Sequence, residues 1–170
     1  MTGTKELVMQ YFTVLNTHDP DAWAALAADD VVYHVPNGTF EGKAAVAAYL
    51  QTIWSAFHPV YDLDSISVFT GDDPGVAAIT WTMETTFANG YEGAPPTGKT
   101  ATSSGMNILE FNDEGLLTGL TMYYDTYSVW EQYGLVPKVG STGYKAIVMA
   151  EIAAGKTKEA AGKAKEAMHL

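Results

Sequence analysis

The chain has 170 residues, enough for one domain with a substantial core, and at 47% hydrophobic and 12% aromatic it reads as globular rather than disordered. It has no cysteine, which excludes disulfides and thiolate metal sites. The net charge is −11 and all nine basic residues are lysine; an acidic chain without the forked guanidinium is a poor nucleic-acid binder, and anionic substrates are disfavoured.

The opening MTGTKELVMQYF has no basic start followed by an apolar run, so it does not read as a signal peptide, and no apolar stretch approaches a membrane span. A cytoplasmic protein is expected. Leu7, Val8, Tyr11, Phe12 and Leu15 recur at helical spacing. Asp19 and Pro20 read as an N-cap and first helical position of a short helix through Trp23 and Leu26. The β-branched run Val31 to Val35 predicts a strand stopped by PNG. Val46, Ala47, Leu50, Ile53, Trp54 and Phe57 stripe a helix starting near Gly42.

The period then changes. YDLDSISVFTG predicts a strand and GDDPG a turn. In VAAITWTMETTF, Ile79, Trp81, Met83, Thr85 and Phe87 alternate with smaller residues, as in a strand with one heavier face. ANGYEGAPPTGKT is a loop, and residues 100–111 and 116–124 form a hairpin about NDEG. Helices followed by four antiparallel strands and a closing helix over Ser128 to Gly134 predict an α+β domain: a cone-shaped barrel with a curved, mostly antiparallel sheet wrapped around helices. An apolar cone is a natural small-molecule pocket.

Charge and composition divide the chain. Residues 1–144 carry −13 and residues 145–170 carry +2, where the sequence shifts to GKTKEAAGKAKEA. We read a cone domain over 1–137 and an appended C-terminal helical tail over 138–170. On that tail Tyr144, Ile147, Val148 and Ile152 form an apolar stripe, expected to dock on the body or a partner subunit, with the last ~10 residues weakly held. A solvated helix is the alternative.

Asp125, in MYYDTYSVWEQYGL, has two readings. It is a preferred N-cap residue for the closing helix. By strand parity it also shares a face with Leu117, Gly119, Thr121 and Tyr123, and so faces inward if Leu117 does. A carboxylate in an apolar pocket is poorly solvated and becomes a better base. His34, at a strand end, is either a hydrogen-bonded structural residue or a pocket group that polarises a carbonyl. Tyr33, Trp54, Phe57, Trp81, Met83, Asn107 and Tyr123 are the candidate substrate-binding residues, their flat faces suiting a planar ligand. Nothing in the spacing of the acid clusters demands a metal, and no metal or cofactor is expected.

The segments YHVPNGTFEG, GAPPTGK, the DEG hairpin and YYDTYSVWEQYGL together resemble the SnoaL-like polyketide cyclases of the nuclear transport factor 2-like superfamily, over roughly residues 4–137. The resemblance implies a cofactor-independent acid/base enzyme on a hydrophobic carbonyl compound, such as the intramolecular aldol cyclisation of a polyketide, with Asp125 as acid/base and His34 as its partner. It also implies a homodimer formed through the outer face of the sheet. An isomerase or dehydratase on the same fold, or a non-catalytic small-molecule-binding protein, is the alternative. The superfamily's epoxide hydrolases use an arginine between two aspartates, which this chain lacks.

Overall fold

A computed structural model describes residues 3–167, with side chains through residue 154. The chain divides into one unit through Tyr133 and a second from Gly134. In the first, α1 (Thr4–Leu15) and α2 (Pro20–Ala24) precede β1 (Ala27–Val35), β2 (Gly38–Glu41) and α3 (Lys43–Phe57). Then come β3 (Val60–Tyr61), β4 (Ser67–Thr70), β5 (Val76–Thr86), β6 (Thr100–Phe111), β7 (Leu117–Tyr124) and α4 (Thr126–Tyr133). The strands form one unclosed sheet in the order β2-β1-β7-β6-β5-β3, with β4 also on β5. Every pairing is antiparallel except β1 with β7. The first unit is therefore the α+β fold expected.

Local chemistry accounts for the helices. Val8, Tyr11, Phe12 and Leu15 are the buried face of α1. Asp19 caps α2 by accepting from the Asp21 and Ala22 backbone N–H groups at 2.9 and 3.1 Å, and Pro20 follows it. Helix α3 buries Val46, Leu50, Trp54, Ala56 and Phe57 and ends at His58, whose left-handed backbone (φ 42°) turns the chain. These faces meet Ile79, Trp81, Leu109, Leu117 and Leu120 from the sheet in one core.

Two details differ from the sequence reading. The edge strand β2 has an almost wholly exposed pattern, so it carries no apolar alternation to find. The single strand expected before GDDPG is broken into β3, a 3₁₀ turn at Leu63–Ser65, and β4, because Asp62 accepts from the Asp64 N–H at 3.1 Å and starts a turn.

The second unit contains α5 (Thr142–Ala167), one helix that runs through Gly155 and Gly162 despite their low propensity. How firmly the last ten or so residues are held concerns side chains outside the described residues. Among the described residues, no helix is long and apolar enough to cross a membrane.

Candidate active site

Between the inner face of the sheet and the helices of the first unit lies a cavity of about 240 Å³. The periodicities that make the core also line the cavity. Helix α3 contributes Tyr49, Ile53, Trp54 and Phe57, one helical face. Strands contribute alternate residues: Tyr33 and Val35 from β1, Met83 and Thr85 from β5, Met122 and Tyr124 from β7. Tyr11 of α1, Tyr61 of β3 and Trp130 and Tyr133 of α4 complete most of the wall.

The wall's polarity comes mainly from phenols. The Trp23 indole N–H donates to the Tyr33 hydroxyl oxygen at 2.9 Å, and the Tyr33 and Tyr11 hydroxyls bond at 2.9 Å. Tyr133 donates to Thr85 Oγ1 at 2.5 Å. The Tyr49, Tyr61 and Tyr124 hydroxyls bond no other protein group among the described residues. Burial pushes the phenols of Tyr11, Tyr33, Tyr49 and Tyr61 well above their ordinary range, and that of Tyr124 up to about 12. All five are therefore hydrogen-bond donors at neutral pH.

At the solvent end, Asn37 from the β1–β2 turn donates through Nδ2 to the Tyr91 hydroxyl at 2.9 Å. The Tyr91 ring stacks on Trp130, with centroids 6.4 Å apart, and meets Phe57 edge-on at 5.0 Å. Glu92 follows it with a left-handed backbone (φ 48°) and, among the described residues, is the one charged residue that lines the cavity. Burial raises the Tyr91 phenol, the Asn37 hydrogen bond lowers it, and, more weakly, the Glu92 charge and a hydrogen bond with the Glu92 side chain raise it.

Of the residues singled out in the sequence, Tyr33, Trp54, Phe57 and Met83 line this cavity. Trp81 and Asn107 are buried in the core beside it, where the indole N–H donates to Asn107 Oδ1 at 2.9 Å. Ser103 Oγ and Asn107 Nδ2 have no hydrogen-bond partner among the described residues. Tyr123 lies on the outer face, 59% exposed. His34 is also outward and exposed, its Nδ1 3.0 Å from Thr39 Oγ1 on the neighbouring strand.

Asp125 requires the largest correction. It is exposed, does not line the cavity, and accepts the Ser128 N–H at 3.0 Å as the N-cap of α4. The parity argument fails at a bulge: Phe111 pairs with Leu117 but Glu110 pairs with Gly119, so Thr118 is an extra residue. Leu117 faces inward, and beyond the bulge Leu120, Met122 and Tyr124 do, leaving Tyr123 outside. One inserted residue thus reverses the face of everything after it. Asp125→Ala is expected to cost about 1 kcal/mol through the lost cap, lowering the melting temperature by roughly 2–4 °C, with ligand binding unchanged. A loss of binding without a loss of stability would return Asp125 to the site.

Sequence reasoning missed Tyr11, Tyr49, Tyr61, Tyr91, Glu92 and Asn37. The available signal was tyrosine on apolar stripes: Tyr11 lies between the buried Val8 and Leu15 on α1, a position where the phenol tip needs a partner. Among the described residues, no group of three or more His, Asp or Glu side chains is placed to hold a metal ion.

A curved sheet packed on helices around an interior cavity is the architecture of the nuclear transport factor 2-like proteins. Within that class, the chain belongs to the SnoaL-like domain family, whose sequence profile matches residues 8–119. It is similar to a proposed polyketide cyclase of Pseudomonas putida KT2440, at 25% identity and TM-score 0.71, over 78% of this chain and 98% of the other. A proposed polyketide cyclase of Xanthomonas campestris pv. campestris matches at 25% identity and TM-score 0.70, over 76% and 96% of the two chains. A Catenulispora acidiphila protein with a ketosteroid isomerase-like fold, solved with trimethylamine, shares the fold at 18% identity and TM-score 0.63, over 76% and 93%. No curated protein matches the chain in sequence.

Proposed function

We propose that the first unit binds a neutral, lipophilic carbonyl compound and promotes proton transfer next to its carbonyl, as intramolecular aldol closure or double-bond isomerisation requires. The observation that carries this is the set of tyrosines, Tyr49, Tyr61 and Tyr124, that line an apolar cavity and whose hydroxyls have no hydrogen-bond partner among the described residues. Buried donors seek acceptors, and a carbonyl oxygen entering the cavity supplies one. As negative charge develops on that oxygen in an enolate, the same hydrogen bonds strengthen, and a preorganised donor of this kind is worth ~10²-fold or more in rate. The absence of any cationic group from the wall disfavours carboxylate and phosphate ligands. Similarity to the two proposed polyketide cyclases supports the same reading.

Deuterium exchange into 2-tetralone, a bicyclic ketone with acidic α-protons, tests this by NMR in deuterium oxide. The protein is expected to bind the ketone and exchange its α-protons faster than buffer. Tyr49→Phe and Tyr124→Phe remove no internal hydrogen bond, so each should leave the fold intact and slow exchange. A wild-type protein that neither binds nor exchanges the ketone sinks the proposal. The second reading, a carrier, is favoured by the position of Asp125 outside the cavity; binding without exchange is its signature.

We also propose a homodimer through the outer face of the sheet. Pairing aligns Phe69, Ala78, Ile108 and Thr121 in one row and Thr80, Met106 and Tyr123 in the next. Both rows are uncharged in a chain of net −11, and Phe69, Met106 and Tyr123 are 59%, 42% and 59% exposed. Glu84 and Glu110 lie on either side, giving an apolar centre with an acidic rim. Light scattering at micromolar concentration should give twice the chain mass for the wild type and the chain mass for Met106→Glu/Tyr123→Glu. A wild-type monomer contradicts the dimer.

A further inference from the structure

We infer that Glu92, at the solvent end of the cavity, is the general base of this site, with Tyr91 and Asn37 as its positioning residues. The inference rests on the proposed carbonyl chemistry and names the group that takes the proton. A base must be an unprotonated acceptor at neutral pH, and the wall is restrictive in this respect. Its ionisable groups are the tyrosines and Glu92. The buried phenols retain their protons, so they donate and do not abstract. The carboxylate of Glu92 is the acceptor that remains.

Its surroundings suit the role. Tyr91 is held from one side by the Asn37 amide at 2.9 Å and from the other by the Trp130 and Phe57 rings, which fixes the residue preceding Glu92 against the cavity. Glu92 and Gly93 both have left-handed backbones (φ 48° and 84°), which turns the loop at this point. Tyr49, Tyr124 and Tyr91 line the same cavity, so the phenols without a hydrogen-bond partner among the described residues share it with the residue that precedes Glu92. An exposed carboxylate is an adequate base when the bound ketone itself excludes water from it.

In the step, the Glu92 carboxylate takes a proton from the carbon beside the carbonyl. The C–H electron pair becomes the enolate C=C bond, and the carbonyl π pair moves to the oxygen, where phenol O–H groups donate to it. The enolate carbon then attacks a second carbonyl within the substrate, or is reprotonated. The protonated Glu92 returns its proton to the new alkoxide or to carbon, so the carboxylate is regenerated and no oxidant or reductant is needed.

The test uses the full chain with 2-tetralone in deuterium oxide. Glu92→Gln should reduce α-deuterium exchange by ~10²–10⁴-fold while leaving the ketone's dissociation constant and the melting temperature unchanged. Glu92→Asp should retain part of the exchange. Tyr91→Phe and Asn37→Ala should lower the exchange rate at saturating ketone more than they weaken binding. If Glu92→Gln exchanges at the wild-type rate, the assignment is overturned and the carbonyl site stands. If the wild type binds the ketone without exchanging it, Glu92 is no base and the cavity is a carrier's. If the wild type does neither, both proposals fall together.

Discussion

Taken from about pH 9 to about pH 12, the protein is expected to unfold in one transition, with the circular dichroism signal changing together with the ionisation of its buried tyrosines. Tyr11, Tyr33 and Tyr61 are at most 7% exposed, and burial holds their phenols well above the ordinary range. Neighbouring phenols add to the shift at Tyr11 and Tyr61, while hydrogen bonds from Tyr11 and Trp23 moderate it at Tyr33. In the unfolded chain the same groups release their protons near pH 10. Above that pH the folded state binds more protons than the unfolded one, so stability falls as pH rises. Each raised phenol contributes stability that is complete below pH ~10 and is lost toward its folded value, at about 1.4 kcal/mol per pH unit. Three such groups cost about 4 kcal/mol per pH unit, so two units remove about 8 kcal/mol, comparable with the ~5–15 kcal/mol that holds a domain together. Tyr61→Phe deletes one titrating group and no internal hydrogen bond, and should move the midpoint to higher pH. A native circular dichroism signal with all ten tyrosines ionised would show that these phenols are not buried.

Gly105→Ala is expected to lower the melting temperature by roughly 6–12 °C, corresponding to about 3 kcal/mol of overpacking. Gly105 of β6 pairs with Trp81 on β5 and Tyr124 on β7. A methyl group there would overlap the six-membered ring of Trp81 and lie 2.6 Å from the Tyr123 carbonyl oxygen. Neither neighbour retreats easily. The carbonyl belongs to the β7 backbone, and the indole is held by its hydrogen bond to Asn107 at 2.9 Å and by the Tyr61 ring edge-on at 5.4 Å. Glycine here makes room for a core tryptophan rather than supplying an unusual backbone angle. Combining Gly105→Ala with Trp81→Phe should cost less than the sum of the two single changes, because the smaller ring vacates the methyl's space. Trp81→Phe alone should destabilise by leaving Asn107 Oδ1 unpaired. Strict additivity in this cycle would mean that the two side chains do not share that space.

The helices, the long strands and the α+β class were legible because they depend on short-range periodicity. The spacing of Val8, Tyr11, Phe12 and Leu15, the cap at Asp19 and the alternation from Ile79 to Phe87 each state a local preference that the fold obeys. Tyr33, Trp54, Phe57 and Met83 were also legible as cavity residues, since an inward position on a strand or an apolar helix face is a property of one element. Residues whose position depends on two elements at once were not legible. Whether Asp125 faces inward depends on the bulge at Thr118, which exists only as a mismatch between β6 and β7. Glu92 and Asn37 lie in separate loops without periodicity, and Tyr91 bridges them only after β1 and β5 are in place. The sequence alone therefore determined which segments bury an apolar face, because that follows from spacing along one chain segment. The tertiary structure decided which acidic residue lines the cavity, because a side chain's facing is a property of register, and one inserted residue reverses it.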